Sequence, residues 1–100
     1  MSVADVLRQL SGRHQIDGRQ VRGAGESPLP VVDPATEELI GELLEATPAE
    51  VDAAVKAANA AQKRWNKVNY HRRAELLHEA AHAMREKRAV IAELLTREMG

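Results

Sequence analysis

His78-Glu79-Ala80-Ala81-His82 carries the residue types and spacing of the H-E-x-x-H pattern of zinc metallopeptidases. On a helix, residues four apart project to one side, so two imidazoles can share a zinc ion while the glutamate activates its bound water. Such a site also needs a third protein ligand. Leu77 and Ala81 belong to the apolar stripe of the same segment, which turns His78 and His82 toward the polar side with Glu75 and Arg85. The downstream carboxylates Glu86, Glu93 and Glu98 continue along the helical run, and none is placed to return to the pair. The pattern reads as a solvated helix face. A zinc hydrolase using His78, Glu79 and His82 is the alternative.

The remaining reactive residue types are sparse. With no cysteine, the chain holds no thiol nucleophile, no disulfide framework and no thiolate zinc site. His71 opens a helical segment beside Arg72 and Arg73 and reads as a surface group, while His14 borders a short exposed strand without a carboxylate partner in view. Gly23-Ala24-Gly25 is too short for a dinucleotide fingerprint, and no strongly apolar strand precedes it and no helix opens after it. Glu37-Glu38 and the other adjacent carboxylates read as solubilising charge in polar positions.

The elements that must position these groups are better marked. Asp17-Gly18 between two short extended runs, His14–Ile16 and Arg19–Val21, signals a hairpin with little apolar surface of its own, so it should lie on a neighbouring surface. Gly23, Gly25, Ser27 and Pro28 mark a loop. A second extended pair follows, about Leu29–Asp33 and Leu39–Glu45, joined by a turn. There Pro34 pushes Asp33 toward extended geometry, Asp33 can bond the backbone two residues on, and Thr36 supports it. Thr47-Pro48-Ala49-Glu50 forms a capping box with proline in the first turn. Val51, Ala54, Val55, Ala58, Ala61 and Trp65 then form an apolar stripe whose alanines permit close approach to a sheet or helix. Asn69 can cap a further run with Ala74, Leu76, Leu77, Ala80, Ala81, Ala83 and Met84 on one face, resuming at Val90, Ile91, Leu94 and Leu95. Residues alone allow one long bent helix there. Val3, Val6, Leu7 and Leu10 suit a short surface helix or a frayed leader within Met1–Leu10, which has neither the basic flank nor the continuous apolar stretch of a secretory signal.

Composition bounds the rest. The chain has 100 residues and two aromatics, Trp65 and Tyr70. Such a chain makes a thin core by itself, which favours a piece of a larger domain. A net charge of −1 with the signs interspersed argues against nucleic-acid binding. No apolar run reaches the roughly 20 residues needed to span a bilayer, so no membrane partner is expected and a cytoplasmic location fits. A free-standing helical interaction module is a third reading.

Val31-Val32-Asp33-Pro34-Ala35-Thr36-Glu37-Glu38-Leu39-Ile40-Gly41-Glu42, the alanine-rich helix ending at Trp65, and the run closing on Thr96-Arg97-Glu98-Met99-Gly100 together resemble the start of NAD(P)-dependent aldehyde dehydrogenases. The resemblance covers roughly residues 14 to 100, in order. It implies an α/β fold in which these residues supply the N-terminal strands and helices of the cofactor-binding domain, the Rossmann-like core lying outside the chain. Residues 1–100 would form the N-terminal part of that NAD(P)-binding domain. A hairpin and strand pair would occupy 14–45, a helix 48–66, and 70–98 would be a helix or two helices with a break near Lys87 or Arg88.

The resemblance further implies oxidation of a small aldehyde to a carboxylic acid. A cysteine thiolate attacks the aldehyde, the thiohemiacetal passes hydride to NAD or NADP, and a glutamate-activated water hydrolyses the thioester. The cysteine, the catalytic glutamate and the cofactor-binding groups fall beyond Gly100, so no catalytic or cofactor residue is assigned here. A homodimer or homotetramer is the implied assembly. One family site maps onto the chain: a monovalent cation held by the carbonyl of Val32 and the carboxylate of Glu98, oxygen donors that suit a hard cation. Many members have Asp at the Glu98 position. Asp33 stands where Asn is usual, and Glu37 where Gly is frequent, which would force Glu37 toward left-handed geometry if the turn is kept.

Overall fold

The computed structural model describes residues 2–100. Met1, the first residue of the expected leader, lies outside them. The order is α1 (Val3–Leu10), β1 (Arg13–Ile16), β2 (Arg19–Arg22), β3 (Pro28–Val32), β4 (Leu39–Leu44), α2 (Pro48–Trp65), α3 (Tyr70–Glu86) and α4 (Arg88–Met99).

The chemistry of each turn sets the strand pairing. Asp17 and Gly18 both take left-handed backbone, φ 54° and 71°, as a two-residue hairpin turn requires, and β1 pairs antiparallel with β2. Strands β3 and β4 form a second antiparallel pair, with a register shift between Val31 and Val32. Pro28 and Pro30 are tolerated in β3 because it has one strand neighbour. Backbone bonds tie the two sheets together: the Gly12 N–H donates to the Glu42 carbonyl at 3.0 Å, and the Gly23 N–H to that of Gly12 at 2.8 Å. The loop after β2 crosses so close to the end of β4 that a Cβ on Gly25 would stand 1.8 Å from the Glu45 carbonyl oxygen. No side chain fits there.

Helix α1 is a built element rather than a frayed leader. Ser2 and Asp5 form a reciprocal capping box, and α1 packs on α4, β1 and β4. Val3, 2 % exposed, is the only buried residue among those described. Thr47 and Glu50 cap α2 in the same reciprocal way, with Pro48 in the first turn. The long helical run divides at Lys87, whose backbone (φ −101°, ψ 12°) leaves helical geometry and separates α3 from α4. Neither glycine nor proline marks that break.

The apolar stripes largely face solvent. Leu77 is 65 % exposed, Met84 63 % and Leu95 55 %, and the Val51 and Val55 stripe of α2 is likewise open. The chain exposes 7951 Å², against about 5,600 Å² for a compact protein of its mass. Its radius of gyration is 16.5 Å rather than about 13 Å.

Candidate functional site

The end of α4 meets the turn between β3 and β4. Within that turn the Asp33 side chain accepts from the Ala35 N–H at 2.8 Å, and Thr36 Oγ1 accepts from the Glu38 N–H at 3.3 Å. Asp33 and Glu38 pair through the backbone at 2.9 Å, and the Glu37 N–H reaches the Asp33 carbonyl at 2.8 Å. Holding this geometry puts Glu37 at φ 62°, left-handed as its place in the turn demands. A Cβ on Gly100 would lie 3.1 Å from Pro34 Cβ, so the C-terminus of α4 rests on the turn itself. Val32 lies on β3, which packs against α4. Glu98 borders a cavity of about 190 Å³ between α1, β3, β4 and α4, with Leu7, Ser11, Val31, Ile40 and Glu42 among its neighbours. Glu98 thus shares a cavity with Val31, the strand neighbour of Val32, where the Glu42 and Glu98 carboxylates and the Ser11 hydroxyl stand beside apolar walls.

The histidine–glutamate pattern has a different fate. His78, Glu79 and His82 are all exposed on α3. His82 Nε2 lies 3.3 Å from Glu86 Oε1, one turn further along the same helix. Arg72 bridges Glu75 at 3.0 Å and Glu79 at 3.3 Å, so Glu79 is tied into a surface ion-pair ladder. The hydrogen bond to Glu75, then the charge of Glu79, raise the Arg72 pKa further. Among the described residues no three His, Asp or Glu side chains converge to hold a metal ion. Nothing here supports zinc chemistry. His71 stacks beside Tyr70, ring centroids 4.1 Å apart, in the first turn of α3.

His14 is half-buried, in contrast to the exposed position expected for it, and Nε2 is enclosed without a hydrogen-bond partner. It stands against Gly23, whose missing Cβ would be 3.0 Å from that nitrogen. Nearby, Glu50 Oε1 accepts from the Thr47 N–H at 3.1 Å and from the Ala24 N–H at 3.2 Å. The capping carboxylate of α2 therefore also pins the loop after β2. The backbone bond from Thr47 lowers the Glu50 pKa most; burial opposes this, and bonds from Ala24 and the Thr47 hydroxyl, with the charge of His14, add to the lowering. The capping box was legible as S/T-x-x-E. The bond to Ala24 spans 26 residues and leaves no local signal.

The same loop tests the fit of a dinucleotide. The Ala24 N–H is already bonded to Glu50, Gly25 is pressed on the Glu45 carbonyl, and a strand rather than a helix follows. A pyrophosphate cradle needs free N–H groups at a helix N-terminus after a parallel strand. The Gly23-Ala24-Gly25 loop does not fit such a group.

Residues 21–100 match the aldehyde dehydrogenase family. The chain belongs to that family. A betaine aldehyde dehydrogenase of Mesorhizobium japonicum is 36% identical over 92 residues, which are 92% of this chain and 19% of the relative. A 3-succinoylsemialdehyde-pyridine dehydrogenase of a Pseudomonas species is 39% identical over 85 residues, 85% of this chain and 18% of that protein. The crystal structure of an NAD-dependent benzaldehyde dehydrogenase from Corynebacterium glutamicum superposes with a TM-score of 0.84 at 32% identity, covering 89% of this chain and 20% of that one. The chain thus spans about a fifth of the length of the aldehyde dehydrogenases it matches. Its α/β elements, with two open two-stranded sheets, correspond to the N-terminal region of these structures. The described residues include no helix long and apolar enough to cross a membrane.

Proposed function

We propose that the whole protein oxidises an aldehyde to a carboxylic acid with NAD or NADP, through a cysteine thiohemiacetal and thioester formed outside these residues. The observation that carries this reading is the superposition of 89% of the chain on an NAD-dependent benzaldehyde dehydrogenase at 32% identity. The chain's part is architectural. It contributes no catalytic or cofactor-binding group, and its strands and helices form the outer part of the cofactor-binding domain. We further assign to the junction of α4 with the β3–β4 turn a monovalent cation held by the Val32 carbonyl and Glu98. The shared neighbourhood of Glu98 and Val31 around one cavity supports that placement. The working form is a cytoplasmic homodimer or homotetramer.

The test is turnover by the purified whole protein with a panel of aliphatic, aromatic and trimethylammonium-bearing aldehydes. Reduced nicotinamide should form in a one-to-one ratio with carboxylic acid, be abolished by thiol alkylation and be indifferent to a zinc chelator. Hydrolytic activity lost on chelation and in His78→Ala would contradict the reading. For the cation, Glu98→Gln should weaken the dependence of thermal stability on potassium or sodium, measured against a bulky organic cation at equal ionic strength.

A further inference from the structure

Arg13 and Arg22 are direct cross-strand partners in the β1–β2 hairpin. Directly opposite residues of an antiparallel pair project to the same face with Cβ atoms about 4.5–5.5 Å apart, and like charges so placed repel. Their sequence neighbours His14 and Val21, also partners, are half-buried, while both arginines are exposed on the opposite face. Neither guanidinium has a carboxylate within 4.0 Å among the described residues, whereas Arg19 and Arg8 are paired with Asp17 and Asp5. Among the described residues no ion pair offsets the repulsion that the hairpin carries.

Both side chains border one groove of about 590 Å³, together with Arg8, Ser11, Gly12 and Glu42. Arg8 is held by Asp5, so its charge is already balanced. Glu42 supplies a single negative charge and forms no ion pair with either arginine. Two guanidinium groups on one face, with Ser11 lining the same groove, offer the charge and the paired N–H donors that a phosphate takes up. A phosphate dianion would turn the cross-strand repulsion into a bridge.

We propose that Arg13 and Arg22 bind the phosphate group of a small soluble molecule in the groove between the hairpin and α1. The site lies apart from the α4–turn junction and from any aldehyde chemistry, and it does not depend on the proposed reaction. The test is calorimetric titration of the whole protein with inorganic phosphate at constant ionic strength, chloride serving as the control anion. Saturable binding should weaken about tenfold or more in Arg13→Gln and in Arg22→Gln, the loss of a charge-assisted pair. Arg22→Lys, which keeps the charge but not the fork, should weaken it less than Arg22→Gln. Arg22→Glu should abolish binding while slowing hydrogen exchange at His14 and Val21, the ladder-bonded pair next to it, because repulsion across the hairpin becomes attraction. That second readout separates a lost site from a lost fold. No saturable binding in the parent protein overturns the proposal, as does an equal loss in Lys67→Gln, which lies on a different part of the surface. A parent that ignores phosphate but loses thermal stability in Arg13→Gln would assign the pair to an internal salt bridge and overturn it as well.

Discussion

Glu37 holds a left-handed backbone at φ 62° in a turn whose other bonds all depend on that geometry. A side chain in this region costs about 1–2 kcal/mol, partly offset by the greater unfolded-state entropy of glycine. Glu37→Gly should therefore raise the stability of the whole protein by about 0.5–1 kcal/mol, read as a higher denaturant midpoint. Glu50 makes a prediction of a different kind. Its folded pKa is lowered, chiefly by the Thr47 N–H, so the stabilisation it gives is fully present above its ordinary value of 4.5. It is lost as pH falls through the lowered value, when the protonated carboxyl no longer accepts both N–H groups equally well. Hydrogen exchange at Ala24 and Thr47, corrected for intrinsic rates, should accelerate together in that acid window. In Glu50→Gln the pH dependence should vanish. Continued titration of both amides in that variant would assign the effect to another group.

At the scale of elements, two glycines separate steric from conformational demand. Gly25 has room for no Cβ, since the contact at 1.8 Å is with a backbone carbonyl that cannot turn aside. Gly25→Ala should cost about 3 kcal/mol or more, with loss of the bonds that seat the loop against β4. Gly18 meets nothing within 4 Å but sits at φ +71°, so Gly18→Ala should cost only about 1–2 kcal/mol. Denaturant midpoints of the two variants, measured side by side, check the order.

The Asp17-Gly18 turn, the Thr47 capping box and the Asn69 cap were all legible in the sequence, because each signal lies within four residues of its effect. The Glu50–Ala24 bond, the close approach at Gly25 and the enclosure of His14 were not, because they arise where distant segments cross. The division at Lys87 is marked in the sequence only by Glu86-Lys87-Arg88 interrupting the apolar stripe, which by itself also allows one bent helix. Of the candidate cation site, the turn could be read from Asp33, Pro34 and Thr36. The approach of α4 to it is a packing result that no spacing encodes.

Across the whole molecule, charge and area point the same way. The chain is nearly neutral, extends 47 × 34 × 19 Å, and leaves much of the apolar stripes of α2 and α3, with Leu95 of α4, open to solvent. Exposed area exceeds that of a compact protein by roughly 2,300 Å², and Val51, Val55, Leu77 and Met84 stand exposed on the capped helices α2 and α3. Helices of 18 and 17 residues draw most of their stability from packing an apolar face rather than from propensity. These faces match the buried side of a larger domain, in keeping with relatives about five times as long. We infer that residues 1–100 are one part of a core completed by other residues of a longer chain. Differential scanning calorimetry of residues 1–100 alone, beside the whole protein, tests it most directly. The account predicts no cooperative transition and strong binding of a hydrophobic dye for the hundred residues, against a sharp transition for the whole protein. A reversible, concentration-independent cooperative transition of residues 1–100 as a monomer would contradict it.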